Sequence, residues 1–160
     1  MRFLWFGKRK VTSQPAIANK IVAESQEIYS VIGYVCDTNP LDGTKNTQLS
    51  AGLIHSMALS VLAQTNSPAE IATQEFFQQH GANVLPISDY AYSADRGFSA
   101  RVTDSGIQRT ILIGSPCAIA LVSAPFSAKI SAAAKENADG FVIAIDGIAY
   151  ASFAIAKEIR

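Results

Sequence analysis

Apolar residues follow two periods along this chain, and the change from one to the other marks out its elements. Between Ser50 and Ala63, Leu53, Ile54, Met57, Ala58, Val61 and Leu62 recur at helical spacing, which predicts a helix with one buried face. A second helix is predicted from Pro68 to His80. Ser67 stands at its cap, Pro68 at its first position and Glu70 three residues after the cap, so hydroxyl and carboxylate can each satisfy an open backbone N–H. Gly81 supplies the left-handed residue that commonly ends such a helix. Residues 14 to 29 are polar with scattered apolar positions, and Pro15 to Glu27 reads as a helix with Ile17, Ile21 and Val22 on one side.

Between and after these helices the period shortens. Val31 to Cys36 is a short β-branched run stopped by the turn formers from Asp37 to Gly43, and Asn83 to Ile87 and Phe98 to Thr103 are also strand-like. Asp104-Ser105-Gly106 turns the chain into a strand from Ile107 to Ile113. Ser115-Pro116 repeats the cap-plus-proline signal for a short helix, Pro125 interrupts it, and a small-residue helix runs from Phe126 to Ala138, ended by Asp139-Gly140. Phe141 to Ile145 and Ile148 to Ala156 flank Asp146-Gly147, whose residues suit the positive φ values of a two-residue hairpin turn. Helices come in pairs and strands in hairpins, so the predicted fold is α+β, a mainly antiparallel sheet with helices packed against it.

At 160 residues the chain fits one domain with a sizeable core. Thirteen basic residues balance thirteen acidic ones, which leaves no global field to draw in nucleic acid, and no basic-aromatic nucleic-acid signature occurs. Charge concentrates only in Lys8-Arg9-Lys10, behind the apolar Met1 to Phe6. Residues 1–10 fit a weak membrane-surface contact or a solvated terminus, and the apolar part is too short to span a bilayer. It lacks the longer apolar core of a secretory signal, so a cytoplasmic location is expected. Cys36 and Cys117 have no His or Cys at metal spacing and read as reduced, small core residues; no metal site is expected. His55 and His80 read as a helix-face and a helix-end residue. No HExxH, CxxC, Walker A or GxSxG sequence occurs.

The candidate chemistry lies between Tyr92 and Val102. An aromatic face at Tyr92 can stack on a base, Ser93 and Ser99 can hydrogen-bond, and Arg96 can meet a phosphate. The same residues also suit a plain exposed loop between Tyr92 and Phe98. This run, with Gly114-Ser115-Pro116 twelve residues on, resembles the nucleotide-binding domain of P-type cation-transporting ATPases, over residues 50 to 160 well and 20 to 49 poorly. The resemblance implies that ATP or ADP binds with adenine between Tyr92 and the Gly114 turn, and that Tyr92, Ser93, Arg96, Ser99 and Gly114 form the site. Gly97 replaces a basic residue of that pattern, and Ile113 stands where many of these pumps carry a Lys in the ATP pocket.

Thr65-Asn66-Ser67-Pro68 matches the proline and spacing of another family segment without its acidic or His side chain, and helix capping explains these residues equally well. Phe153 to Arg160 resembles the hinge where a strand leads into an Asp-containing turn, with Lys157 in the Asp position. The resemblance divides the chain into a basic-aromatic tail (1–13), a degenerate phosphorylation-loop-like lead-in (14–49) and a nucleotide-binding-domain-like part (50–160). Asp37 stands where the DKTGT phosphoacceptor would be, as a possible relic, but the Lys and the Thr-Gly-Thr are gone, and no TGD or GDGxND follows. No catalytic residue is expected, and no autophosphorylation or transport. The expected function is weak binding of adenine nucleotide by a stand-alone or vestigial domain. The alternative is an interaction protein that keeps the fold and docks on a protein partner.

Overall fold

The structure is a computed structural model that describes residues 26–41 and 48–159. The predicted helix from Pro15 lies, up to residue 25, outside the described residues, as do the tail 1–13 and the turn residues Asp42 and Gly43; Glu27, the last residue assigned to that helix, opens a strand. In chain order the elements are β1 (Glu27–Cys36), α1 (Ala51–Leu62), α2 (Pro68–Gln79), β2 (Ile87–Ser93), β3 (Gly97–Asp104), β4 (Ile107–Gly114), α3 (Pro116–Ala120), α4 (Ala128–Glu136), β5 (Phe141–Ile145) and β6 (Ile148–Ile159).

All six strands join one antiparallel sheet in the order β1-β6-β5-β4-β3-β2. The expected α+β fold with an antiparallel sheet is the one observed. Both predicted hairpin turns form with positive φ at their two central residues, Ser105 and Gly106 in one and Asp146 and Gly147 in the other. Helices cover both faces. On one, α1 and α2 pack on Phe98, Val102, Ile111, Ile113, Ile143 and Phe153. On the other, α3 and α4 bring Ile119, Ile130 and Ala134 against Val142, Ala144 and Ala149. β5 is buried on both sides, which is why its sequence is an unbroken apolar run rather than an alternating one.

Each of the four described helices opens on a serine whose Oγ accepts a backbone N–H, from Leu53 at Ser50, Glu70 at Ser67, Ala118 at Ser115 and Ile130 at Ser127. Three expectations change. Helix α1 is buried on more than one face, because Ser56 and Ser60 face inward as well as its apolar stripe. Asn83 to Pro86 is not a strand: the N–H groups of Asn83 and Leu85 donate to Ser56 Oγ (3.0 Å) and Ser60 Oγ (2.7 Å), so this segment is fastened to the helix and the strand begins at Ile87. The C-terminal segment likewise differs from a hinge. β6 continues to Ile159 against β1, with Lys157 Nζ 3.1 Å from Glu27 Oε2.

Edge strand β1 carries a bulge between Ile32 and Val35, with Gly33 at φ +64°. From the end of α4, the buried Asn137 Nδ2 donates to Gly33 O (2.9 Å) and Ser152 Oγ (3.1 Å), tying the bulge to β6.

Candidate functional site

The β2–β3 hairpin ends in a tight turn at Ala94-Asp95-Arg96, where Ser93 Oγ accepts the Arg96 N–H at 3.1 Å. Gly97 follows at φ +86°. A Cβ there would lie 2.1 Å from Ile113 O, and one on Gly114 would lie 2.5 Å from Arg96 O. Two glycines thus let the hairpin tip press on the end of β4, where the chain leaves for α3. Between tip and helix lies a cleft of about 860 Å³.

Tyr92, Ser93, Arg96 and Ser99 all line this cleft, together with Leu112 and Ser115. Gly114 does not line it; its role is to permit the close contact that shapes one wall. Ser99 and Leu112 face each other across β3 and β4 and share the sheet face that carries α3. Tyr92 stands differently. Its register partner is Phe98, the two ring centroids are 4.7 Å apart, and Phe98 belongs to the core under α1 and α2. Tyr92 is therefore a rim residue, 59% exposed, with part of its ring covered by Phe98. Ile113 is 1% exposed and points to the α1–α2 side, so it does not fill the cleft. On that other side Glu70, Thr73, Phe98, Ile113 and Ile155 border a void of about 50 Å³. The Glu70 carboxylate, after burial, helps hold the Tyr90 phenol above its ordinary pKa.

Cys117, expected in the core, is exposed on α3 and lines the cleft, since Ile119 is the buried residue of that one-turn helix. Cys36 is half-buried, and burial raises its thiol pKa. Asp37 is fully engaged: Oδ1 accepts the Asn39 N–H (3.1 Å), Oδ2 accepts the Ser127 hydroxyl (2.9 Å), and its own N–H donates to Tyr150 O (2.7 Å). It joins β1 to the start of α4, a structural contact that turn composition alone did not reveal.

The histidines also come together unexpectedly. Tyr34 on β1 hydrogen-bonds His55 Nε2, and the His55 and His80 rings lie 5.6 Å apart beside Phe76 and Phe77. Burial, and then His80, lowers the His55 pKa. Among the described residues no three His, Cys, Asp or Glu side chains gather as metal ligands, and no helix is long and apolar enough to cross a membrane.

No protein-family model matches the chain, and no curated protein does. Solved structures do. The chain is similar to the N-domain of HMA6, a copper-transporting P-type ATPase, with a TM-score of 0.58 and 15% identity over 80% of this chain and 98% of that one. It is also similar to the catalytic domain of the CPx-ATPase CopB-B, described in terms of its conformational changes upon nucleotide binding, with a TM-score of 0.54 and 18% identity. That match covers 83% of this chain but only 39% of the CopB-B domain. At such identities the likeness establishes architecture, and the fold of this chain is that of the P-type ATPase N-domain.

Proposed function

We propose that this chain binds an adenine nucleotide, ATP or ADP, weakly and without catalysing phosphoryl transfer. The observation that carries the reading is the convergence of Ser93, Arg96 and Ser99 on one open cleft large enough for a nucleotide, with Tyr92 at its rim. Leu112 and Ala118 offer an apolar bed for a base, Tyr92 a partly open ring at the rim, and the serine hydroxyls hydrogen bonds to base or ribose. The N-domain fold supports the reading, since the CopB-B domain responds to nucleotide. Weakness follows from the lining, which among the described residues offers a phosphate one cation, Arg96. Lack of catalysis follows from the surroundings of Asp37, which is not followed by the Lys and Thr-Gly-Thr of the family's loop and whose carboxylate ties Asn39 to Ser127.

Titration with ATP and ADP, followed by calorimetry and by amide NMR, tests this. Saturable binding that shifts Ser99, Leu112 and Ala118 and is lost in Tyr92→Ala supports it; no shift at millimolar nucleotide refutes it. One observation favours a second reading, an interaction surface: Leu121 and Val122, at the mouth of the cleft, are 86% and 62% exposed. A failed nucleotide titration turns the search to a protein partner at that edge.

A further inference from the structure

Leu121 and Val122 follow the one-turn helix α3 as two adjacent, largely exposed aliphatic side chains at the mouth of the cleft. Their backbone is fastened on both sides. The Val122 and Ser123 N–H groups both donate to Ile119 O at 3.0 Å, and the Ala124 N–H donates to Gly147 O in the β5–β6 turn at 2.8 Å. A ridge held in this way loses little conformational freedom when something covers it. The other wall of the mouth is the β2–β3 hairpin tip, which presents Tyr92 and the exposed neighbours Asp95 and Arg96. The surface is thus apolar on one wall and carries one charge of each sign on the other. Such a surface complements itself. In a two-fold contact each residue pair occurs twice, so Asp95 can meet Arg96 of a second copy while Arg96 meets the second copy's Asp95. A strongly acidic or strongly basic partner would meet attraction and repulsion side by side. Thirteen basic and thirteen acidic residues leave no net charge to hold two copies apart. The nearby edge strand β2 is bulged between Ser88 and Ala91, with Asp89 at φ +55°, which obstructs strand addition along it.

We propose that the mouth of the cleft is a self-association surface, covered by a second copy of this chain. Two copies pack about a two-fold axis through side chains and not through a continued sheet. Each sets Leu121 and Val122 against Tyr92 and Ala118 of the other, while the Asp95 and Arg96 side chains pair reciprocally. This rests on the interaction-surface reading above and names its partner; it does not require that the cleft take nucleotide. The contact is small, so the dimer is weak and reversible.

The test is sedimentation equilibrium of the full chain at concentrations from about 10 μM to about 1 mM, the range in which small interfaces act. A monomer–dimer equilibrium is expected, half complete at about 100 μM. Each substitution counts twice across a two-fold contact, so Leu121→Asp should weaken the dimer more than about tenfold. Asp95→Arg and Arg96→Asp should each weaken it about tenfold, since like charges then meet twice. An equimolar mixture of these two variants should form the mixed dimer at least as tightly as the parent forms its own, because one tip then carries two positive charges and the other two negative ones. Recovery on mixing also shows that both variants are folded. A chain that stays monomeric throughout the range overturns the inference. Open-ended oligomers overturn it too, as does a dimer indifferent to all three substitutions, since association then runs through another face. Charge variants with the parent's amide spectrum that fail to associate on mixing overturn the reciprocal pairing and the two-fold arrangement with it. Nucleotide binding is read separately, by calorimetry on the dilute monomer, so either reading can fail while the other stands.

Discussion

Gly97 and Gly114 illustrate how much of the cleft depends on atoms that are missing. A Cβ at Gly97 would meet backbone, not a side chain that could swing away, and its φ of +86° disfavours any L residue regardless of space. Gly97→Ala is therefore expected to destabilise the chain by about 2–4 kcal/mol in urea unfolding, through strain and displacement of the hairpin tip. If Gly97→Ala unfolds at the same urea concentration as the parent, the tip is free to move and the cleft wall is not fixed. Asp37 makes the opposite point. Asp37→Ala removes two accepted hydrogen bonds and should cost about 1–3 kcal/mol, with ATP affinity unchanged, because the carboxylate joins β1 to α4 and touches no cleft residue. Gly97's close contact and Asp37's tie to α4 were not legible in the sequence. Gly97 read as a missing basic residue; Asp37 read as a local turn former, as its bond to the Asn39 N–H bears out, but its bond to Ser127 and the pressure on Gly97 depend on what distant helices and strands bring near.

At the scale of elements, capped helices and tight hairpins were legible because their signals are local. Ser67-Pro68 and Asp146-Gly147 specify their structures within four residues. Asn83 to Pro86 was misread because Ser56 and Ser60, some 25 residues away, supply the hydrogen bonds that a neighbouring strand would otherwise have supplied. Contact between β1 and the α1–α2 pair was equally invisible, and it makes stability depend on pH. Tyr34 from β1, Phe77 from α2 and His80 at its end surround His55, with no carboxylate among the groups that shift its pKa. Folding lowers the His55 pKa, so the unfolded chain takes up the proton first. The stabilisation is complete above the unfolded value of about 6.5 and is lost as the pH falls towards and through the lower folded value. The melting temperature should therefore drop between pH 7 and pH 5, and drop less in His55→Gln. His80→Gln, which removes the neighbouring charge, should move the His55 NMR titration upward. A melting temperature that is flat across this range in the parent chain would mean that His55 is solvated and its contact with Tyr34 carries no energy.

For the whole molecule, the resemblance to pump N-domains pointed to residues 50 to 160, yet the sheet is completed by a strand from before residue 50. β1 covers the long β6, shields the edge next to buried Ser152, supplies Tyr34 to His55 and accepts Asn137 at Gly33. Without it, β6 would present a twelve-residue open edge beside a core, with Asn137 left short of a buried acceptor. A chain beginning at residue 48 is thus expected to melt at least about 10 °C below the full chain, or to aggregate, since the loss of several kcal/mol is large against the stability of a domain this size. A peptide of residues 26–41 added in trans should restore the amide spectrum of β6 and α4 by pairing in the same register, Ile28 opposite Glu158 and Cys36 opposite Ala151. A shortened chain that melts with the full one would place the cooperative unit in residues 48–159 and reduce β1 to an appended strand. Because the cleft lies at β2, β3 and β4, with β5 and β6 between it and β1, a peptide-restored chain should also regain whatever nucleotide affinity the full chain has, through the stability of the sheet alone.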